Sequence, residues 1–253
     1  MSEARYAREQ EFHDQAHGGR WQAVEKYYAV TESSHVEYHS RIMSAAPGAD
    51  VLEYGCGEGS SAFVLAERGA SVTGIDISPE RISRAKEEAR TRKLADVSFR
   101  VMNAERLEFE DNTFDLICGT SIIHHLDLHR SSAELARTLK PTGKAIFLEP
   151  LGHNPLINAY RRRTPGYRTH DEHPLLMRDL QLLGGRFEIV DTRFFHLVSL
   201  AAYPFGSRRG FGSILRGLDR EDSALFALAP PLRRYAWIVV LSLVRPRNAA
   251  PAG

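Results

Sequence analysis

The stretch "VLEYGCGEGSSAFVLAERGASVTGIDIS", residues 51–78, joins two apolar runs through a glycine-rich loop. Gly55, Gly57 and Gly59 occupy alternate positions, and each adds backbone entropy that folding must overcome. A strand that ends in glycines and leads into a helix brings a ligand against the backbone amides of the helix N-terminus. Asp76 follows Gly55 by 21 positions. An acidic residue at this spacing, at the end of a second strand, accepts hydrogen bonds from a ribose diol.

The dinucleotide-binding fingerprint G-x-G-x-x-G differs from this loop at its last position. Counted from Gly55 and Gly57, the third glycine would fall at residue 60, which is Ser60. The loop instead reads E-x-G-C-G-x-G, with Glu53 ahead of the glycines. An acidic side chain there suits a cationic amine and repels a pyrophosphate. We therefore favour a nucleoside that carries an amino acid over a dinucleotide.

Beyond this loop, short apolar runs alternate with helical segments. The runs predicted as strands are 51–54, 71–77, 97–102, 114–118 and 144–149, and the predicted helices are 60–68, 79–94 and 130–139. Strands that alternate with helices form a parallel sheet covered on both faces. Two later apolar runs, 186–195 and 235–246, lack this spacing and predict a terminal antiparallel hairpin at one edge of the sheet.

We expect one domain with additions, as the length of 253 residues allows. Residues 1–46 carry aromatic and apolar side chains at helical spacing, which predicts two or three helices that act as a lid. Residues 47–253 would form the main domain, with helical cap insertions at about 151–185 and 200–232. The first insertion is polar, with one predicted helix near 173–183.

Composition and charge exclude several classes of partner. The formal net charge of +1 gives no electrostatic argument for nucleic acid or an anionic membrane, and we expect neither.

Cys56 and Cys118 lie in apolar strand-like runs and are interpreted as reduced core residues. The polar N-terminus lacks the apolar core of a signal peptide. Charged residues and prolines interrupt the stretch 225–244, which therefore falls short of the roughly 20 apolar residues of a membrane span. We expect a cytoplasmic protein without stable membrane insertion.

Four stretches taken together resemble the motifs of the class I S-adenosylmethionine-dependent methyltransferases. They are "VLEYGCGEG" for the first motif, "VTGIDIS" for the second, "VMNAERLEFEDNTFDLICGTSIIHHL" for the later motifs and "LKPTGKAIFLEP" for the approach to the fifth strand. The likeness covers residues 50–150, and the terminal strands extend it. It implies an α/β, Rossmann-like, seven-stranded and mostly parallel sheet with an antiparallel terminal strand, helices on both faces, and S-adenosyl-L-methionine as cofactor.

The resemblance implies cofactor contacts around the glycine loop. Gly55 and Gly57 would face the cofactor. Glu53 would lie near its amino-acid amine, and Asp76 would hold the ribose hydroxyls.

At the adenine end, the resemblance implies that Ile77 packs on the ring and that Asn103 and Ala104 lie at its edge. Many relatives have Asp where Asn103 stands, so the chain departs from the family pattern at this contact. Thr120 would offer backbone near the sulfonium.

Histidines after the fourth and fifth strands are the candidates for chemistry. His153 is the first candidate for a general base, because it follows the fifth strand at the ligand-binding edge and an imidazole titrates near neutral pH. The others are His125, which belongs to a His-His pair after the fourth strand, Glu149 and His173. The structural alternative is that these side chains cap helices and tie down a loop.

The same region raises the question of a metal site. His170, Asp171 and His173 offer donor atoms, but they are not spaced for one helix face and no cysteine accompanies them. We therefore predict no bound metal.

Aromatic side chains in the N-terminal helices and the insertions suggest a lid over a largely apolar acceptor. The residues expected to bind this acceptor are Tyr28, Tyr160, Phe195 and Tyr203. The arrangement resembles small-molecule methyltransferases of natural-product, isoprenoid, quinone or lipid pathways, which act on oxygen or carbon. Two alternatives stay open, an NAD-dependent oxidoreductase, which Ser60 disfavours, and a non-catalytic S-adenosylmethionine-binding protein. The oligomeric state also stays open, with a homo-oligomer among the alternatives.

Overall fold

The computed structural model describes residues 3–15, 29–167, 169, 172–205 and 209–247. Within these residues a seven-stranded sheet forms the centre of the molecule. Its strands are β1 (Asp50–Tyr54), β2 (Ser71–Asp76), β3 (Val97–Val101), β4 (Phe114–Thr120), β5 (Leu139–Pro150), β6 (Phe187–Phe195) and β7 (Ile238–Pro246). Their order across the sheet is β3-β2-β1-β4-β5-β7-β6.

β7 is the antiparallel strand of this sheet. β1 pairs in parallel with β2 and β4, β2 with β3, and β4 with β5, while β7 pairs antiparallel with both β5 and β6. The structure thus confirms the mostly parallel, Rossmann-like sheet and the antiparallel pairing of the two C-terminal strands. β7 lies between β5 and β6, so β6 forms the edge of the sheet.

Helices surround the sheet, and the structure describes eight of them. They are α1 (Glu3–Gln15), α2 (Glu32–Ala45), α3 (Ser60–Ala66), α4 (Pro79–Arg92), α5 (Leu128–Thr138), α6 (Pro155–Arg163), α7 (Met177–Arg186) and α8 (Phe211–Leu228). Short 3-10 turns include Ile123–His125 after β4 and Ser199–Phe205 after β6. Across the described part of the chain, no helix combines the length and apolar character needed to cross a bilayer.

Both faces of the sheet are covered, which explains the nearly continuous burial of β1, β4 and residues 145–149 of β5. On one face, α2, α3 and α4 supply a core that includes the fully buried Tyr38. On the other face, α5 and α7 supply a second core that includes Leu135. Cys56 and Cys118 are free and buried in the first core, as predicted.

Capping residues set the starts of two helices. Ser78 accepts a hydrogen bond from the amide of Arg81, and Pro79 takes the first position of α4, as the sequence predicts. The same signal opens α6, where the Asn154 side chain accepts hydrogen bonds from two amides and Pro155 follows. The prediction of a single helix in the first insertion was therefore wrong, because it overlooked this Asn-Pro start.

β5 is longer than the run 144–149 predicted for it. The strand begins at Leu139, directly after α5. Pro141 and Gly143, which lie between the predicted helix 130–139 and the predicted strand 144–149, belong to the strand. The pairing with β4 is irregular at this point, where the register shifts between Phe114 and Leu116, and this irregularity accommodates a proline within a sheet.

Candidate active site

The glycine loop connects β1 to α3 at the carboxyl edge of the sheet. Gly55, Gly57 and Gly59 have φ values of 66°, 55° and 88°, which other residues rarely adopt. A Cβ at position 55 would lie 2.8 Å from the side chain of Ile122. A Cβ at position 57 would meet only Nη1 of Arg81, at 3.9 Å. Gly57 therefore faces open space, which leaves room for a cofactor against bare backbone.

Asp76 ends β2 beside this loop and is buried. Its Oδ2 accepts a hydrogen bond from the amide of Gly57 at 2.9 Å, and its Oδ1 accepts one from the amide of Ser78 at 2.9 Å. A carboxylate offers about four acceptor positions, so each oxygen keeps one for a ribose hydroxyl. The residues present therefore fit the ribose of a nucleoside.

Glu53 lies in β1 beneath the loop and is only 5% exposed. Its Oε2 accepts a hydrogen bond from the amide of Ala62 in α3 at 2.9 Å. Burial raises the pKa of Glu53 from 4.5 to about 7, and hydrogen bonds from Ser61 and Ala62 only partly oppose this rise. A buried carboxyl group that titrates near neutral pH ionises readily when a cationic group binds beside it.

The expected adenine edge follows β2 and β3. Asn103 Oδ1 accepts a hydrogen bond from the amide of Glu105 at 2.8 Å, so this side chain shapes its own turn. The hydroxyl of Tyr54 donates to the carbonyl oxygen of Ala104 and ties the turn to the end of β1. Ile77, directly after β2, is half-buried. The adenine-edge turn is thus anchored beside the glycine loop.

The turn after β4 is held by a buried carboxylate. β4 ends at the exposed Thr120, and Ser121 follows with a φ of 52°, a strained conformation for a residue other than glycine. Glu149, near the end of β5, is fully buried and accepts hydrogen bonds from the amides of Ile122 and Ile123 at 2.9 and 2.8 Å. Glu149 therefore fixes this turn, and its burial keeps it out of contact with an acceptor.

The histidine pair lies on the same turn. Nδ1 of the buried His124 is 2.7 Å from Oε2 of Glu149. The ring of His125 lies against it, with 4.2 Å between centroids. Nδ1 of His125 is 3.3 Å from Oε2 of Glu9 in α1. Burial, and then the neighbouring His124, lower the pKa of His125 from its usual 6.5, so this imidazole is neutral at physiological pH.

Helix α1 lies across this edge of the sheet. Arg5 donates a hydrogen bond to the carbonyl oxygen of His125 and lies 3.9 Å from the carboxylate of Glu105. Further along the helix, Asp14 accepts a hydrogen bond from the hydroxyl of Ser78. α1 thus connects the turn after β4 with the end of β2, the two points between which the cofactor is expected.

Of the other two histidine candidates, His153 lies beside the start of α7, and His173 lies beside the histidine pair. Nε2 of His153 accepts a hydrogen bond from the amide of Met177 at 3.3 Å, and burial followed by the charge of Arg234 lowers the pKa of His153. This hydrogen bond uses a lone pair that a general base needs. His173 is exposed, and its amide donates to the carbonyl oxygen of His124 at 3.0 Å. His125 and His173 therefore lie together at the turn after β4, whereas His153 lies at the start of α7.

The aromatic residues expected to bind the acceptor have different environments. Phe195 is buried in the core, and Tyr203 packs against the same core cluster. Tyr160 on α6 is half-buried. Tyr28 lies outside the described residues, as do His170 and Asp171. Tyr160 and Tyr203 thus remain the described aromatic candidates for an acceptor surface.

Sequence reasoning missed three residues that this edge brings together, Glu9, Tyr54 and Glu172. Glu9 follows Arg5 by one helical turn, so the sequence places both on one face of α1. The sequence gives no sign of the residue that Glu9 faces, because His125 is remote from it in sequence. Tyr54 lies within the first motif, where its apolar neighbours suggest a core residue. Glu172 adjoins His173 and could have been considered with it.

The strand order, the glycine loop after β1 and the acidic residue at the end of β2 define a class of protein, the class I methyltransferase fold. Residues 52–147 match the family described as a methyltransferase domain. Aklanonic acid methyltransferase DauC from Streptomyces sp. (strain C5) is 38% identical over 114 residues, which cover 44% of this chain and 52% of that protein. Demethylmenaquinone methyltransferase from Tropheryma whipplei (strain Twist) is 32% identical over 110 residues, which cover 43% of this chain and 45% of that protein. The chain spans about half the length of these curated relatives.

Solved structures agree with this fold. Geranyl diphosphate C-methyltransferase from Streptomyces coelicolor A3(2), in complex with Mg²⁺, geranyl diphosphate and S-adenosyl-L-homocysteine, has a TM-score of 0.66 and 14% identity, over 97% of this chain and 100% of that chain. Residues 52–147 are thus similar to a methyltransferase domain, and the chain has the fold of the class I methyltransferases.

Proposed function

We propose that the protein transfers a methyl group from S-adenosyl-L-methionine to an oxygen or carbon of an apolar small molecule. The observation that carries this proposal is the bare backbone of the glycine loop beside the buried carboxylate of Asp76. The sulfonium of the bound cofactor supplies the methyl group. Thr120 and the turn after it lie at the carboxyl edge, where open α/β sheets bind their ligands.

Each side of the cofactor would meet a residue suited to it. Asp76 accepts amide hydrogen bonds that fix its orientation, and its remaining lone pairs would hold the ribose hydroxyls. Glu53 would ionise opposite the amino-acid amine. Asn103, Ala104 and Ile77 would enclose the adenine.

Alignment and exclusion of water can supply much of the catalysis for this reaction, up to roughly 7–11 kcal/mol in well-oriented reactants. α1 would act as the lid, because it joins the two ends of the expected cofactor site. His125 and His173 would face the acceptor, while Glu149 positions the turn that carries His125. His153 would stabilise the start of α7, and Tyr160 and Tyr203 would contact the acceptor.

The matched relatives support a small-molecule acceptor, since one is a methyltransferase of aklanonic acid and the other of demethylmenaquinone. The low net charge and the two buried thiols are consistent with a cytoplasmic protein that binds no nucleic acid. An NAD-dependent oxidoreductase is the weaker alternative, because Glu53 would repel a pyrophosphate. A non-catalytic cofactor-binding protein shares the same cofactor site, and turnover distinguishes the two.

Calorimetry tests the cofactor, and mass spectrometry tests turnover. The protein should bind S-adenosyl-L-homocysteine and show no binding of NADH. Incubation with S-adenosyl-L-methionine and a panel of phenols, quinols, polyketides and isoprenoids should then give a product heavier by one methylene for at least one acceptor. Preference for NADH would refute the proposal, and cofactor binding without any methylated product would favour the non-catalytic alternative.

A further inference from the structure

Among the residues that the structure describes, one group brings three potential metal-ligating side chains together. His124, His125 and Glu172 each offer one ligating atom, and these atoms lie within 4.8 Å of one another. The donors come from two segments, the turn after β4 and the segment that leads into α7. α5, β5 and α6 separate these segments in sequence, so the tertiary structure alone creates the group.

Carboxylates orient both imidazoles. Nδ1 of His124 lies 2.7 Å from Glu149, and Nδ1 of His125 lies 3.3 Å from Glu9. A carboxylate beside one ring nitrogen orients the imidazole and is the usual environment of a metal-bound histidine. Oγ1 of Thr169 also lies 3.4 Å from Nδ1 of His125. The ring centroids lie 4.2 Å apart, with 40° between the ring planes, so the two imidazoles are in direct contact.

The main chain fixes the third donor relative to the first. The amide of His173 donates to the carbonyl oxygen of His124 at 3.0 Å, and the amide of Leu175 donates to that of Pro150 at 2.9 Å. Glu172 directly precedes this paired segment. Its backbone therefore stays beside the histidines, and only its side chain has to adjust.

We infer that His124, His125 and Glu172 bind one divalent first-row transition-metal ion. Two imidazole nitrogens and one carboxylate suit zinc, iron(II), cobalt(II) or manganese(II), whereas Mg²⁺ and Ca²⁺ favour oxygen ligands. Metal–ligand bonds of about 2.0–2.2 Å place tetrahedral ligand atoms about 3.4 Å apart. Because the three ligand atoms lie within 4.8 Å of one another, side-chain rotation has to bring them closer by up to about 1.4 Å to hold an ion.

The position of the cluster suggests what the ion would do. A cavity of about 290 Å³, lined in part by His124, His173 and Arg5, adjoins the cluster and gives an ion access to it. The histidine turn directly follows Thr120, near the expected methyl group. A hydroxyl or enol oxygen of the acceptor would be a further ligand, and the ion would lower its pKa as it lowers that of bound water. This role rests on the proposed function, whereas metal binding itself does not.

Cobalt(II) is the probe for the test, because its visible absorption reports both occupancy and ligand geometry. The 253-residue chain, treated with a chelator and dialysed, should bind one equivalent of Co²⁺. His125→Ala and Glu172→Gln should each weaken binding at least tenfold. His129→Ala is the matched control, because this exposed histidine lines the same cavity but belongs to neither donor segment, and it should bind Co²⁺ like the wild type.

Circular dichroism and S-adenosyl-L-homocysteine affinity check each variant. Glu172→Gln keeps the size and polarity of a half-buried side chain and so preserves the fold even where His125→Ala does not. The metal site is overturned if the wild type takes up no Co²⁺, or if folded Glu172→Gln protein takes it up like the wild type. Failure of the wild type to bind S-adenosyl-L-homocysteine would instead refute the proposed function, whatever the Co²⁺ result.

Discussion

Replacing Glu53 with glutamine should make the cofactor-free protein more stable above neutral pH. Burial raises the pKa of Glu53 from 4.5 to about 7. One pKa unit corresponds to about 1.4 kcal/mol, so ionised Glu53 destabilises the folded state by about 3 kcal/mol. Below pH 4.5 the side chain is protonated in both states and this penalty is absent. The penalty grows as the pH rises from 4.5 to about 7, the two pKa values of Glu53, and is complete above pH 7. Glutamine stays neutral and keeps an oxygen for the amide of Ala62.

Urea denaturation of the cofactor-free protein at two pH values measures this effect. Glu53→Gln should exceed the wild type in unfolding free energy by about 3 kcal/mol at pH 8 and by about 1 kcal/mol or less at pH 5. Glu58→Gln is the matched control, because its side chain is 59% exposed and pairs with Arg84 on the surface. Its stability should follow that of the wild type at both pH values.

Glu53→Gln should also bind S-adenosyl-L-homocysteine more weakly, because the neutral amide lacks the charge that would lie opposite the amino-acid amine of this ligand. A loss of about 1.5–3 kcal/mol in S-adenosyl-L-homocysteine affinity at pH 8 is expected for a hydrogen bond to a charged group. Glu53 would then lower the unfolding free energy of the cofactor-free protein and strengthen cofactor binding. A stability difference that is the same at pH 5 and pH 8 would show that Glu53 does not titrate in this range and would refute the reasoning.

Three further predictions test the loop, the sheet and the lid. Asp76→Ala should weaken S-adenosyl-L-homocysteine binding in calorimetry by about 1.5–3 kcal/mol, whereas the exposed Asp96→Ala should leave it unchanged, and equal affinities would remove Asp76 from the site. Gly119→Ala should destabilise the protein in thermal denaturation by about 1–3 kcal/mol, because the new Cβ would lie 2.6 Å from a carbonyl oxygen of β1. Gly184→Ala, with nothing within 4 Å, should be neutral or slightly stabilising, and a similar loss in both variants would contradict the steric argument. Deleting residues 1–15 should accelerate dissociation of S-adenosyl-L-homocysteine in stopped-flow measurements while circular dichroism shows an intact sheet, and an unchanged dissociation rate would argue against the lid.

The local sequence determined the elements of the fold and the cofactor half of the site. Alternating apolar runs and helices encode a parallel sheet, because each run buries both faces of its strand. Gly55, Gly57 and Asp76 could be chosen from spacing alone, since a single strand-loop-helix-strand unit contains them. The start of α6 was equally local in Asn154 and Pro155, and it could have been predicted from those residues.

The tertiary structure decided the other half of the site. Glu149 was a candidate base by position, and only the folded chain shows its carboxylate holding the turn of His124. Glu9 and Glu172 join the histidines from segments remote in sequence, and β7 inserts between β5 and β6 without a local signal. Periodicity specifies which face of an element is buried, but it carries no information about which remote segment packs there. The backbone crossovers that bring these carboxylates to the carboxyl edge fix those contacts, and so the proposed acceptor side of the site depends on the fold as a whole.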